Sequence, residues 1–312
     1  MALDPQLKAW LDHLKADPLD WRRPMERARE EFFKGARAFE TDAPKLSRID
    51  NVIADGAAGP ISGRLYTPEG ASLGPGPGIV FFHGGDFMLA DLESHDMLCR
   101  RLAGDSRCRV LALDYRRAPE HVFPAGLDDA VAGFSWAVRS ATALKIDPDR
   151  LAIAGDSAGA NIATVAARRL RDQGGPEPAL QALFYPITQF VEATPSRLQF
   201  ADGFFLTARA IDFFKQAYLG GQIDPHNADA SPLLATNLAG LPPTLIVTAG
   251  FDPLRDEARA YAEALAKAGV PVLVKDFPSQ VHGFFSMTAV SKIAREGIAD
   301  CAAYIAASLG GA

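Results

Sequence analysis

Apolar and polar positions change their rhythm along this chain. From residue 79 onward, short apolar-rich runs recur at 79–82, 110–113, 151–154, 180–184, 244–248 and 272–277. They lack the strict in-out alternation of a sheet with one wet face, so they read as strands covered on both sides. Between them, residues 97–102, 127–139, 158–173, 256–268 and 293–307 carry helix-like patterning. Strands of this kind alternating with helices predict an α/β fold with a mostly parallel sheet and helices on both faces. Residues 51–53 and 61–66 precede the series and read as an antiparallel pair leading into it.

Two segments break the alternation. Residues 1–46 are largely helical, beginning with an amphipathic stretch over 1–15 that sets Leu3, Leu7, Trp10, Leu11 and Leu14 to one side. Trp21, Phe32 and Phe33 add further bulk to bury. Residues 190–219 are rich in phenylalanine, with Phe200, Phe204, Phe205, Phe213 and Phe214. Both segments are expected to cap the carboxyl edge of the sheet, where open α/β folds bind ligands. The expected organisation is therefore an α/β body from 47–189 and 220–312, with cap segments at 1–46 and 190–219.

Composition narrows the class of protein. The 312 residues are 48% hydrophobic, enough for one large core with a cap over it. With 32 basic against 38 acidic residues, the net charge of −6 and the lack of a basic cluster argue against nucleic acid or an anionic membrane as partner. No apolar run reaches membrane-spanning length, and charges interrupt the first fifteen residues where a signal peptide needs an apolar core. The three cysteines (Cys99, Cys108, Cys301) are odd in number and show no Cys-x-x-Cys spacing, which speaks against a disulfide scaffold or a thiolate metal site. A cytoplasmic enzyme acting on a small molecule, as a monomer or homodimer, is the expectation.

The chemistry concentrates at residues 151–159, where a strand runs into Gly155-Asp156-Ser157-Ala158-Gly159 and then into an alanine-rich helix. The glycines permit a sharp strand-to-helix turn that lifts the serine into view. A helix cap by Ser157 is the plain alternative, but the strand before it and the helix after it favour a nucleophile. A serine hydroxyl needs a base, and the base needs an orienting carboxylate. Of the six histidines (His13, His83, His95, His121, His226, His282), only His282 lies just past the last strand candidate. Asp252 directly follows the run at 244–248, whereas its rival Asp276 sits inside a strand. The order Ser157, Asp252, His282 is the one this kind of sheet produces. An oxyanion cradle of backbone amides completes the set. Its donors are expected from Ala158 and from the loop after 79–82, His83-Gly84-Gly85-Asp86.

At this point the sequence resembles the hormone-sensitive-lipase-like (family IV) carboxylesterases of the α/β-hydrolase superfamily. The matching segments run in order: HGGDF at 83–87, DYRRAPEHVFPA at 114–125, DPDRLAIAGDSAGAN at 147–161, LPPTLIVTAGFDPLRDE at 241–257 and VHGF at 281–284. Weaker similarity covers nearly the whole chain. The resemblance implies an eight-stranded α/β-hydrolase sheet with a helical cap, no metal and no organic cofactor. It also implies hydrolysis of short- to medium-chain carboxylic esters through an acyl-enzyme. Carried over, the triad falls on Ser157, Asp252 and His282, and the donor amides on Gly85, Asp86 and Ala158. A related acyl hydrolase such as an amidase or lactonase, or a non-catalytic ligand-binding member, shares the same scaffold.

Two positions depart from the family pattern. Asp86 replaces the third glycine of His-Gly-Gly-Gly, and Arg117 replaces the usual leucine of Tyr-Arg-Leu-Ala-Pro-Glu. A carboxylate ~6 Å from the oxyanion would oppose it by roughly 3 kcal/mol at an effective dielectric near 20. The Asp86 side chain is therefore expected to turn away and be tied by hydrogen bonds; the alternative is that it sits near the oxyanion and slows acylation. Glu120 and His121 are expected to brace the oxyanion loop. Arg117 has no explanation in the sequence.

Overall fold

The computed structural model describes residues 2–14, 24–41 and 43–310. Eight strands, β1 (Leu46–Gly56), β2 (Gly59–Pro68), β3 (Gly76–Phe82), β4 (Arg109–Leu113), β5 (Ile146–Asp156), β6 (Leu180–Phe184), β7 (Thr244–Phe251) and β8 (Val272–Val281), form one sheet in the order β1-β2-β4-β3-β5-β6-β7-β8. Only β2 runs against its neighbours; from β4 to β8 every pairing is parallel. This is the α/β-hydrolase sheet, mostly parallel as the apolar runs predicted.

The continuous apolar strands follow from coverage on both sides. Successive side chains point to opposite faces of a strand, and in β3 Val80 and Phe82 enter one core while Ile79 and Phe81 enter the other. On the first face pack α4 (Ala125–Arg139), α6 (Ala158–Asp172) and α9 (Arg255–Lys267), through residues such as Phe134, Val165 and Tyr261. The second face is covered by α3 (Asp96–Ser106) and α10 (Lys292–Ser308), through Leu98, Leu102, Ile298 and Ile305. Burying each such side chain contributes about 1.5–3 kcal/mol.

The β1–β2 hairpin is far longer than the two short runs expected from the sequence. Its outward positions carry Ser, Asp, Asn and Arg, and burial alternates along β2. An edge hairpin with one wet face shows only half the apolar signal of a buried strand. β5 likewise begins at Ile146, ahead of the expected start, because its first residues include half-exposed Asp147 and exposed Asp149, which hide the apolar signal.

The N-terminal segment supplies α1 (Pro5–Leu14) and α2 (Met25–Ala38). Leu7, Trp10 and Leu11 of α1 bury against Val281, the last residue of β8, and Met287 just beyond it. Trp21 lies outside the described residues, as does the Leu14 side chain. Arg29 of α2 reaches the body, donating to Met88 O at 2.7 Å, to Ala118 O at 3.0 Å and to Glu120 at 2.7 and 2.8 Å. Between β6 and β7 lie α7 (Pro195–Gln199) and α8 (Ala208–Leu219), each started by a threonine whose hydroxyl accepts from the first turn. Phe200 and Phe204 pack on Phe251 with ring centroids 5.5 Å apart, so this segment also stands at the carboxyl ends of the strands.

Candidate active site

Ser157 occupies the turn between β5 and α6 with φ 52° and ψ −117°, a strained conformation for a residue with a side chain. The turn is held from outside: the Ser157 amide donates to Phe184 O of β6 at 2.8 Å. It is also possible only with glycine on either side. A Cβ on Gly159 would lie 2.0 Å from Phe82 O, and one on Gly155 would lie 2.4 Å from the Gly159 carbonyl.

The other two predicted residues converge on it. His282 follows β8, with Gly283 at φ 72° turning the chain behind it. Its Nε2 lies 2.9 Å from Ser157 Oγ, and its Nδ1 lies 2.9 Å from Asp252 Oδ2. Asp252, just past β7, is fixed by its other oxygen, which accepts the Leu254 amide at 2.8 Å. All three side chains are buried. Their geometry suits a neutral imidazole that donates from Nδ1 to Asp252 and accepts at Nε2 from the serine. Burial lowers the His282 pKa, but the carboxylates of Asp252, Asp86 and Asp156 outweigh it and hold it above the ordinary imidazole value. Asp276, the rival carboxylate, is occupied on β8 by Thr248 at 2.7 Å and Arg259 at 2.9 Å.

The loop after β3 approaches the serine as expected, with one change in its donor set. The Gly84 amide donates to Asp156 Oδ1 at 2.7 Å, so it cannot serve an oxyanion, and Gly84 leaves the predicted hole. A side chain there would strike Asp156, a Cβ falling 2.6 Å from its Oδ2. The amides of Gly85, Asp86 and Ala158 meet no acceptor among the described residues. Those three amides are free to receive a developing negative charge.

Several residues that support this loop escaped the sequence reading. Asp156, next to the nucleophile, pairs with His95 Nε2 at 3.2 Å. Burial raises the Asp156 pKa, yet His95 and the Gly84 amide outweigh burial and keep it below the usual carboxylate value. Tyr115 donates to His83 O at 2.7 Å and stacks on the His83 ring. Arg117 donates to Ala90 O, and Ala90 packs where a Gly85 Cβ would be. The leucine-to-arginine departure thus clamps the far end of the oxyanion loop. Glu120 acts through Arg29 and so ties α2 to the loop, whereas His121 is exposed and its ring braces nothing among the described residues.

Asp86 overturns the expectation placed on it. Its carboxylate is not tied away: it has no hydrogen bond or ion pair among the described residues and lies on the wall of the chamber that holds Ser157 and His282. The loop geometry forces this, since Asp86 and Phe87 both take positive φ (57° and 64°) while the Phe87 ring stacks on Tyr218 at 3.7 Å. Burial pushes the Asp86 carboxyl up to about 7, with His282 opposing and Asp156 reinforcing the shift. The chamber itself has a volume of about 240 Å³. Its walls come from α1, α2 and the residue after it, the segment before α8, α8 itself and the oxyanion loop, through Trp10, Phe32, Phe39, Leu89, Phe205 and Phe214. Among the described residues no group of His, Cys, Asp and Glu is arranged to hold a metal ion, and no helix is long and apolar enough to cross a membrane.

Comparison with known proteins agrees with this architecture. A profile of the α/β-hydrolase fold matches residues 79–286. The chain is 45% identical to the carboxylic ester hydrolase LipN of Mycobacterium tuberculosis over 245 residues, which cover 77% of this chain and 65% of that protein. It is 35% identical to an ethyl acetate hydrolase of Pseudomonas putida over 310 residues, 96% of each. Among solved structures, an ester hydrolase from the Lake Arreo metagenome, complexed with a bipyridine phosphonate derivative, superposes with a TM-score of 0.95 at 39% identity, covering 99% of both chains. A hyperthermophilic esterase of the archaeon Pyrobaculum calidifontis gives a TM-score of 0.94 at 35% identity, covering 98% of this chain and 99% of that one. With the fold, the ordered motifs and these relatives all in agreement, the chain belongs to the hormone-sensitive-lipase-like carboxylesterases of the α/β-hydrolase fold.

Proposed function

We propose that Ser157, His282 and Asp252 hydrolyse short- to medium-chain carboxylic esters through an acyl-enzyme. The observation that carries this reading is the unbroken chain of 2.9 Å contacts from Ser157 Oγ through the imidazole to Asp252. Ser157 Oγ attacks the ester carbonyl while His282 Nε2 takes its proton, and Asp252 stabilises the imidazolium that forms. The carbonyl oxygen becomes an oxyanion, received by the amides of Gly85, Asp86 and Ala158. Collapse breaks the ester C–O bond; the alkoxide takes the proton from His282 and departs as the alcohol. Water then attacks the acyl-serine with His282 again as base, releasing the carboxylic acid and restoring the hydroxyl.

We assign residues 1–46 and 190–219 to a cap that walls the chamber, because Trp10, Phe32, Phe39, Phe205 and Phe214 all come from them. A chamber of this size favours short acyl groups. The acid-leaning charge fits a small ester rather than nucleic acid, and a cytoplasmic monomer or homodimer is the setting we assign. A fluorophosphonate probe tests the chemistry directly. It should label Ser157 alone and abolish turnover of p-nitrophenyl acetate; labelling at another residue, with turnover intact, would reject the assignment.

A further inference from the structure

The chamber joins two features that a plain ester pocket does not need. One is the Asp86 carboxyl, which faces the chamber without a hydrogen-bonding or ionic partner among the described residues. A half-buried carboxylate without a partner, in an otherwise apolar chamber, favours a cation or a donor beside it. The other is an aromatic lining: Trp10, Phe32, Phe39, Phe205 and Phe214. Trp10 packs between Phe39 at 4.8 Å and Phe205 at 5.3 Å, and the Phe205 ring comes within 3.4 Å of where a Gly283 Cβ would stand, beside His282. Phe205 remains 41% exposed, so its face is available to a ligand.

The charges around the chamber are matched except at Asp86. Of the other lining carboxylates, Asp156 pairs with His95 at 3.2 Å and Glu31 with Arg27 at 3.7 Å, and none of the described lining residues is lysine or arginine. Aromatic faces carry negative quadrupole charge and attract cations, most of all quaternary ammonium groups that carry no donor of their own. Aromatic rings together with an unpaired carboxylate make a site for an alkylated ammonium. Such a group would also answer the difficulty that Asp86 creates, because its positive charge would offset the carboxylate beside the developing oxyanion.

We propose that Asp86 and the aromatic wall of Trp10, Phe39 and Phe205 form a subsite for an ammonium group carried by the ester substrate, within a few atoms of its carbonyl. The proposal rests on the esterase reading above and names the substrate class for that same site. Asp86 keeps its amide in the oxyanion hole while its side chain sets specificity.

Two isosteric pairs test it. On the alcohol side, acetylcholine is compared with its uncharged isostere, in which a tert-butyl group replaces trimethylammonium. On the acyl side, the methyl ester of γ-butyrobetaine is compared with its own tert-butyl isostere. In at least one pair the ammonium ester should show a kcat/KM at least tenfold higher, and Asp86→Asn should shrink that ratio to below about threefold. Phe205→Leu, which keeps bulk but removes the ring, should narrow the same ratio and serves if Asp86→Asn fails to fold. Equal rates in both pairs, or a preference for the neutral esters, would overturn the subsite. An undiminished preference in both variants would overturn it as well. Turnover of p-nitrophenyl acetate is measured alongside: its absence sinks the esterase reading, whereas its presence without charge preference removes the ammonium subsite alone.

Discussion

His95 Nε2 lies 3.2 Å from Asp156 Oδ1, and the same oxygen accepts the Gly84 amide at 2.7 Å. A second buried histidine–aspartate pair therefore stands beside the proposed triad and sets the oxyanion loop instead of the nucleophile. Ser94 Oγ reaches His95 Nδ1 at 3.2 Å and is itself locked to the Asp91 backbone, accepting from its amide and donating to its carbonyl, so the ring is fixed from both nitrogens.

Breaking this pair should separate positioning from binding. His95→Ala leaves the Asp156 carboxylate with the Gly84 amide but no cation, and losing one partner of a buried pair typically costs about 3–5 kcal/mol. Urea denaturation should show that loss. In the folded fraction kcat should fall while KM changes little, because the loop serves the transition state. His95→Gln, which can still donate, should recover part of kcat. The pH dependence has a definite sign. Asp156 titrates below its ordinary 3.8, so its contribution is present above that value and fades as pH falls toward the depressed pKa. His95 titrates above its ordinary 6.5, Asp156 outweighing burial, so its contribution is complete below 6.5 and fades as pH rises through the raised pKa. The stability difference between wild type and His95→Ala should therefore be greatest between about pH 4 and 6.5. A difference that is flat from pH 4 to 9 would show that the pair is not ionic.

What the sequence disclosed and what it hid divide along a physical line. The central strands were legible because both of their faces are covered, leaving Ile79 to Phe82 apolar without a gap. Ser157, Asp252 and His282 were legible because each follows a strand end and is marked by local turn chemistry. The hairpin β1–β2 was only partly legible, since its wet face carries polar residues. Asp156–His95, Arg117–Ala90 and Arg29–Glu120 join residues 61, 27 and 91 positions apart, and no local pattern announces such contacts. Asp86 was misjudged for a related reason. Its direction is set by the positive φ of two successive residues and by Phe87 stacking on Tyr218, a tertiary contact.

Ser157→Ala should remove the nucleophile and leave the fold intact. Turnover of p-nitrophenyl butyrate should fall by about four to six orders of magnitude, leaving a residue of activity from the oxyanion amides. Circular dichroism and the thermal midpoint should remain close to wild type, since the hydroxyl makes only its contact with His282 in this network. Retention of more than a tenth of the activity would move the nucleophile elsewhere.

The chamber volume of about 240 Å³ lies below the usual range of ligand pockets, which limits the acyl chain. Across a series of p-nitrophenyl esters, kcat/KM should peak at short acyl chains, on the order of two to eight carbons, and fall for palmitate. Removing residues 1–46 strips Leu7, Trp10 and Leu11 from Val281 and Met287, each side chain contributing about 1.5–3 kcal/mol. The shortened protein should unfold at lower temperature and lose its chain-length preference. A truncated form as stable and as selective as the whole would remove the cap from the picture.

The charge on Asp86 should also govern the turnover of neutral esters. With its pKa near 7, this carboxyl is mostly neutral at pH 5 and mostly ionised at pH 8. When ionised it adds a negative charge to the wall of the chamber that holds Ser157, and it also raises the pKa of His282, which must be neutral to act as base. Asp156 faces the same space and carries its charge throughout this range, so it shifts both groups without titrating beside them. Asp86→Asn should therefore raise kcat for a neutral ester about tenfold at pH 8, roughly 1.4 kcal/mol of transition-state energy, and much less at pH 5. The acid limb of the pH–rate profile should also move to lower pH, because His282 loses a neighbouring negative charge. Stability follows the same sign. A carboxyl whose folded pKa is raised destabilises the fold as pH climbs through that pKa. The thermal midpoint of Asp86→Asn should thus exceed that of wild type at pH 8 and approach it at pH 4. An identical gain at both pH values would mean that the carboxyl acts by shape, and no change in kcat at pH 8 would mean that its charge does not reach the oxyanion.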